Sequence, residues 1–454
     1  MAAYKLQQAG FKVCIYEAGQ RPGGTLHTLR QGEWMVENGP NTVRYTPDME
    51  QLVAELGLQD RVQFPEPEAR NRYILKKGKL HKLPTSATGL LTTGLFGLGT
   101  KFGILLESLS TDKDPDRIES FSELIHERFG EEVADYLADP FVAGIFAGNP
   151  EDLSARYAFP DLWKRFVEHG SIIKAQKAAA KARKAAGKPA MAPIFSFPEG
   201  LQELADALAN ALNGCLRYGH TVTSINPTHQ DPRITSWVLS FKEDIEESEH
   251  HDVLINTLPV PQMLPLYKGE LHHELKPLEK IPHPPLAMWH LGFRKKDVQH
   301  PLDGFGMLVP KVEELSVLGA IFPSTIFPGR APDDHVLITV FVGGDRQPRL
   351  ARALKEEQQQ LIQRDLQTIL GVREAAVWWH NQVWQQAIPQ YNLQHGKRIA
   401  LLRKLEEAYP THCWAGNYWG GIGVPSRVHT AFTLARELTQ EGVLQHPTPE
   451  AEAK

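Results

Sequence analysis

The first seventeen residues place the tightest constraint on the fold. Ala2 to Gly10 carry small and apolar side chains and end on glycine, a natural helix stop. FKVCIYEA follows, with Val13 and Ile15 alternating with more polar neighbours, and reads as a strand whose tip is Glu17. RPGGT, Arg21 to Thr25, then reads as a turn. Helix, strand and acidic residue at the strand tip make the second half of a dinucleotide-binding βαβ unit. In such a unit the acid bonds ribose hydroxyls and a helix N-terminus holds the pyrophosphate. Glu17 by itself suits an ordinary αβ pair equally well. No first strand and no GxGxxG turn precede the helix, so the chain is expected to be N-terminally truncated and, as written, to hold a dinucleotide weakly.

At 454 residues the chain is too long for one ordinary core, and about two or three domains are expected. A formal charge of −5 argues against a general nucleic-acid binder. Cys14, Cys215 and Cys413 are odd in number and far apart, which suits a reducing compartment better than a disulfide framework or a structural zinc site. The 19 histidines show no zinc-type spacing, and no metal is expected. No secretory signal and no transmembrane helix is visible. The stretch from Leu83 to Thr100 has no charge, but it holds Pro84 and much Gly and Thr. It reads as a loop and a buried helix start, with a segment dipping into one membrane leaflet as the sharper alternative.

Further along, residues 118–139 are expected to be helical, with Phe121, Leu124, Ile125, Phe129, Val133 and Leu137 on one face. Lys174 to Lys188 holds six basic residues and no acid, and reads as a solvated helix leading to a linker. Strand-like runs occur at 220–225, 237–241 and 251–259, and the region from Met288 to Gly344 is strand-rich. Helices are expected over 356–370 and 428–438. Nucleotide-fold signals thus appear at the start, around 195–260 and at the end, with other material inserted between them.

Five motifs then stand in order: GGTLHTLRQGEWMVENGPNT from Gly23, FVAGIFAGNPEDLSARYAFPDLW from Phe141, FSFPEGLQEL from Phe195, LGAIFPSTIFPGRAP from Leu318 and AGNYWGGIGV from Ala415. With them the chain resembles the protoporphyrinogen oxidase branch of the flavin amine oxidase superfamily over nearly its whole length. The resemblance implies an α/β (α+β) protein. An FAD-binding dinucleotide fold of the amine oxidase type (1–84, 195–285 and 395–454) would be interleaved with a helical membrane-associated substrate domain (85–194) and a mixed-sheet substrate domain (286–394).

It also implies a role for each matching position. Glu17, with Ala18 beside it, would hold the adenosine ribose, and Val222 would meet the adenine through its backbone. Gly23, Gly24 and Thr25 would let backbone approach the flavin. Gly39, Pro40, Asn41 and Thr42 would lie against the isoalloxazine, Trp384 would wall it, and Gly423 and Val424 would aim backbone N–H groups and a helix N-terminus at it. Leu308, Ile321 and Phe341 would sandwich a porphyrinogen macrocycle, and Arg72 would bind a propionate. Leu308 and Ile321 could equally be plain core, and Arg72 a surface charge.

No side chain is expected as acid, base or nucleophile, because flavin N5 would take the hydride and dioxygen would reoxidise the flavin, giving hydrogen peroxide. The implied activity is oxidation of protoporphyrinogen IX to protoporphyrin IX in haem biosynthesis. The alternatives are a coproporphyrinogen III oxidase of the same family and an inactive flavoprotein-like chain. Porphyrinogen and dioxygen are the expected partners, with a peripheral membrane contact, a homodimer and hand-off to a ferrochelatase also implied. The expected location is cytoplasmic or organellar, peripheral on the membrane.

Overall fold

A computed structural model of the protein describes residues 1–107, 109, 117–187, 192–212, 214–231, 234–242 and 248–440. In chain order its strands are β1 (Ile15–Glu17), β2 (Thr28–Gln31), β3 (Trp34–Glu37), β4 (Val43–Arg44), β5 (Arg72–Lys76), β6 (Lys79–Lys82), β7 (Ile194–Phe195), β8 (Leu216–Tyr218), β9 (Val222–Asp231), β10 (Ile234–Phe241), β11 (Ser248–His251), β12 (Leu254–Asn256), β13 (Leu286–Arg294), β14 (Gly306–Leu308), β15 (Val317–Ile321), β16 (His335–Gly343), β17 (Trp378–Trp384) and β18 (His412–Trp414).

The opening helix–strand unit forms as the pattern predicts, with helix Ala2–Gln8 leading to β1. The strand is shorter than FKVCIYEA suggests, because its parallel ladder with β8 begins only at Ile15, opposite Leu216. A second parallel pair joins β12 to β18. Around the first pair, Tyr4, Met49, Leu52, Phe195, Phe197, Leu204 and Val428 share one buried core. Its members come from the start, the middle and the end of the chain. The interleaving inferred from scattered nucleotide-fold signals is therefore a packing fact. The last helix runs Val424–Gln440, four residues earlier than expected from its apolar spacing. Pro425 fits there, since a first-turn proline gives up an N–H that has no partner within the helix.

The segment 118–139 is not one helix. Ser120 and Glu123 form a reciprocal capping box that starts helix Phe121–Phe129, and Gly130, at φ 81°, ends it. A π-turn over Ala134–Ala138 leads into helix Asp139–Phe146. Phe121, Leu124, Ile125 and Val133 are buried in one cluster, with Phe129 and Leu137 packed against it, so the apolar face survives the break. The basic run forms helix Ile172–Ala185. Its first turn is held by the buried Glu107 carboxylate, which accepts from Ser171 Oγ and from the backbone N–H groups of Ile172 and Ile173. A carboxylate there also meets the positive end of the helix. Among the described residues no helix is long and apolar enough to cross a membrane.

Seven strands form the largest sheet, in the order β17-β13-β16-β15-β14-β5-β6. Period-two alternation divides its residues between two faces. On one face Ala287, Trp289, Leu291, Ile338, Val340, Val342 and Met307 pack with Ile362, Leu366 and Leu370 of helix Lys355–Leu370. The buried Trp289 indole is satisfied there by Gln358 Oε1 at 2.7 Å. The other face carries the polar and ligand-candidate residues.

Candidate active site

Two groups of expected cofactor residues form around the nucleotide-fold core. At the tip of β1 the Glu17 carboxylate accepts from Gly19 N at 2.7 Å, and Glu17 O accepts from His220 N. The tip is thereby tied to the segment leading into Val222, so Glu17, Ala18 and Val222 lie together. Tyr16 donates to Glu249, and its ring packs at a tilt against Phe241, centroids 4.8 Å apart.

The second group comes from three loops. Arg21, which the sequence reading passed over, organises the first of them. Its guanidinium donates to Pro22 O, Gly24 O and Leu26 O and to Gln202 Oε1, folding Arg21 to Leu26 around itself. Gly23 and Gly24 take φ values of 100° and 57°, open to glycine at little cost. Asn38 N donates to His27 O at 2.8 Å, and the Trp384 indole donates to Asn38 O at 2.9 Å. A Cβ on Gly39 would stand 1.9 Å from Thr25 O, so the 25 and 39 backbones touch. Asn41 Nδ2 reaches back to Gly39 O at 3.2 Å.

The third loop is pinned by Arg427, whose guanidinium donates to Ala415 O, Gly416 O and Trp419 O. Tyr391 accepts from Gly421 N and donates to Asn417 O. Gly39 thus lies against Thr25, and Val424, opening the last helix, packs in the cluster that holds Leu26 and Val43. A flavin fits these loops. Among the described residues Asn38 Oδ1, Asn417 Oδ1 and Arg427 Nε are buried without protein partners, and a flavin ring offers both N–H donors and carbonyl acceptors.

The expected substrate residues lie on the face of the large sheet away from helix Lys355–Leu370. Cross-strand register sets two rows there. One runs Arg72, Gly306, Ile321, Thr339, His290, His380, and the next runs Ile74, Leu308, Gly319, Phe341, Met288, Gln382. Leu308, Ile321 and Phe341 therefore share one face with Arg72, and Trp384 continues it toward Asn38. Ile321 and Asn41 line a common cavity with Met35, Glu37, Phe327 and Arg330, which joins the sheet face to the 39–42 loop.

Leu308 and Phe341 also do packing work. Leu308 Cδ2 lies 2.7 Å from the position of a Cβ on Gly144, and Phe341 packs with Ala147, Leu286 and Leu318. Both side chains sit at the seam between the sheet and the helical region. Arg72 is exposed at the start of β5, its guanidinium 4.9 Å from the Phe305 ring. Among the described residues it makes no ion pair. Partial desolvation and the nearby Arg44 push its guanidinium below the usual value, as two cations without a counter-ion must. Arg44 is a neighbour that sequence spacing could not reveal, 28 positions from Arg72 along the chain.

A buried ion pair joins these parts. Arg330 and Glu37 are 2% and 5% exposed and lie 3.2 Å apart. Glu37 also accepts from Thr28 Oγ1 and Leu201 N, while Arg330 donates to Ser196 Oγ and Phe197 O. Burial pushes the Glu37 carboxyl up, against the pull of Arg330 and the N–H and O–H donors. Both residues lie inside quoted motifs, yet only the fold pairs them.

Comparison with known proteins matches residues 1–439 to the flavin containing amine oxidoreductase family. Protoporphyrinogen oxidase 2, chloroplastic/mitochondrial, from Arabidopsis thaliana is 34% identical over 93% of this chain and 88% of its own length. Human protoporphyrinogen oxidase is 28% identical over 90% of this chain and 89% of its own. Among solved structures, one from Exiguobacterium sp. superposes with a TM-score of 0.79 at 22% identity, covering 97% of this chain and 96% of that one. Reduced UDP-galactopyranose mutase gives a TM-score of 0.71 at 14% identity, over 96% and 91% of the two chains.

Proposed function

The chain belongs to the flavin containing amine oxidoreductase family and is an oxidoreductase with FAD as its cofactor, and we propose that its substrate is protoporphyrinogen IX. The observation that carries this reading is the face of the large sheet away from helix Lys355–Leu370. Leu308, Ile321 and Phe341 offer an apolar floor, and the unpaired guanidinium of Arg72 stands at its end, on the same face as Trp384. A mostly apolar macrocycle with carboxylate tails needs such a combination. Two relatives reported above carry the name protoporphyrinogen oxidase, which supports the same assignment.

When bound, FAD supplies the redox chemistry, taking hydride equivalents from the macrocycle and passing them to dioxygen to give hydrogen peroxide. The protein's own part is positional. Arg72 anchors a propionate, with Arg44 adding positive potential. The apolar floor removes water from around the ring, and Trp384 ties the sheet to the 38–42 loop so that ring and cofactor keep a fixed separation.

The test is a side-by-side assay of protoporphyrinogen IX and coproporphyrinogen III, followed by porphyrin fluorescence and peroxide release. The first should be the better substrate. A clear preference for coproporphyrinogen would transfer the assignment to the alternative activity. In the same assay Arg72→Ala should raise KM about tenfold or more with kcat little changed. A lost charge-assisted contact is worth about 1.5–3 kcal/mol, and one remote from the reacting carbon acts on ground and transition states alike. An unchanged KM would remove Arg72 from the site.

The reading extends to a membrane surface. The uncharged stretch does not end in a buried helix start throughout. Leu95 and Phe96 are buried, but Leu91, Leu98 and Phe102 are 57%, 84% and 63% exposed. Leu98 and Phe102 belong to helix Leu98–Glu107, which Glu107 joins to the basic helix Ile172–Ala185. Adjacent apolar and basic surfaces suit the interface of an anionic bilayer. Co-sedimentation with phosphatidylserine-containing vesicles should fall severalfold for a Leu98→Asp, Phe102→Asp variant. Equal sedimentation of both proteins would refute the contact.

A further inference from the structure

A second cation stands beside the floor of the substrate slot, brought there by a short ribbon from another part of the chain. β4 and β7 pair antiparallel, with Val43 opposite Phe195 and Arg44 opposite Ile194. Directly opposed residues of such a pair stand on the same face of the ribbon. Val43 and Phe195 are both buried in the core of the nucleotide fold. Arg44 and Ile194 therefore face the other way, and Ile194 shares an apolar cluster there with Phe305 and Ile321. The Arg72 guanidinium lies 4.9 Å from the Phe305 ring of that same cluster. Arg44 and Arg72 thus border one apolar patch, and Ile321 belongs to both the patch and the floor.

We propose that Arg44 is a second carboxylate anchor, so that the slot selects its substrate by a pair of carboxylates on one edge of an apolar ring. The inference rests on the porphyrinogen reading, since protoporphyrinogen IX carries its two propionates on neighbouring pyrroles. One propionate meets Arg72, the other meets Arg44, and the ring edge covers the patch around Ile321.

Both arginines are exposed, so a ligand can reach them. Arg44 Nη1 donates to Ala192 O at 2.9 Å, which braces the side chain and leaves its other N–H groups for a ligand. Among the described residues neither guanidinium pairs with a carboxylate. Burial lowers both, and Arg44 lowers Arg72 further, as befits cations that face each other rather than an acid. Two plain surface arginines would sit apart or beside an acid, because like charges held close repel. A site for two carboxylates accounts for the closeness and for the lack of a counter-ion. The planar fork of arginine also suits carboxylate oxygens, through two parallel bonds.

The experiment uses the full chain with excess FAD, with thermal stability measured for each variant. Porphyrin fluorescence gives the affinity for protoporphyrin IX and for its dimethyl ester. Esterification removes the charges and keeps the ring, so the comparison isolates carboxylate recognition. The wild type should prefer the diacid. Arg44→Ala should weaken diacid binding on the order of tenfold or more and leave the diester unchanged. Arg44→Lys should recover part of the loss, since it keeps the charge without the fork. Arg72→Ala should act as Arg44→Ala does, and the double variant should bind the two porphyrins equally. In turnover, Arg44→Ala should raise KM for protoporphyrinogen IX on the order of tenfold. Diacid binding unaltered by Arg44→Ala overturns the proposal. So does an equal loss for both porphyrins, which would mark Arg44 as a brace for the ribbon, and so does a wild type without preference for the diacid. If the wild type oxidises no porphyrinogen, the proposed function fails, and the paired affinities still decide whether Arg44 holds a carboxylate.

Discussion

Arg330→Ala is expected to lower the free energy of unfolding by about 3–5 kcal/mol, because it strands a buried carboxylate. Glu37 keeps two of its donors, Thr28 Oγ1 and Leu201 N, but loses its counter-ion in a site 5% exposed. Burial already pushes that carboxyl up, and without Arg330 nothing of like strength opposes it. The pair also joins three separate segments: the β2–β3 hairpin, the 196–201 turn and the loop after Phe327. Loss of the pair should therefore loosen the cavity lined by Asn41 and Ile321 as well. Chemical denaturation of Arg330→Ala and of the double variant Glu37→Met, Arg330→Met separates charge from packing. The double variant should recover much of the loss, since apolar replacement of a whole buried pair is often neutral. A cost below about 1 kcal/mol for Arg330→Ala would show that the pair is not stabilised by its burial in the way described.

Gly39→Ala should cost the protein most of its flavin. A Cβ at this position would stand 1.9 Å from Thr25 O, and the obstacle is backbone, which cannot rotate away. Either the 25 loop or the 39 loop must move, and both are expected flavin contacts. Overpacking of this kind costs about 1–3 kcal/mol, or about 5- to 150-fold in FAD affinity. Gly57→Ala, just beyond helix Pro47–Glu55 and outside the cofactor loops, is the matched control. It has no atom within 4 Å of the added carbon, and only its φ of 69° is disfavoured. That strain is about 1–2 kcal/mol, carried by an exposed position, so flavin should be retained. Visible absorbance of the two purified proteins after dialysis against FAD decides the matter. Equal flavin content in both would mean that the 25–39 contact does not shape the cofactor site.

Much of the nucleotide-fold part could be read from the chain itself. The Ala2–Gln8 helix, the Glu17 tip and the glycine-rich turns depend on interactions within about ten residues, and local propensity with turn chemistry specifies them. The same holds for helix Lys355–Leu370, whose apolar spacing matches the core it meets. Gly130 could have split the expected 118–139 helix, since it is a helix-ending residue in plain view. The substrate side is different. Nothing local says that residues 72, 308, 321 and 341 share a face, because face is set by the register of four neighbouring strands, and a one-residue slip would reverse it.

By itself, then, the sequence determined the identity of the local pieces and, through their ordered motifs, the family. Each piece is specified by its own periodicity, caps and turns. Only the tertiary structure decided which pieces meet. It shortened β1 to three residues, because strand length depends on the partner's ladder. It left Leu98 and Phe102 in solvent, because exposure depends on what packs above a helix. It paired Arg330 with Glu37, 293 positions apart, and set His290 beside His380. Those pairings arise from burial of charge and from cross-strand register, which are properties of neighbours in space that no window along the chain contains.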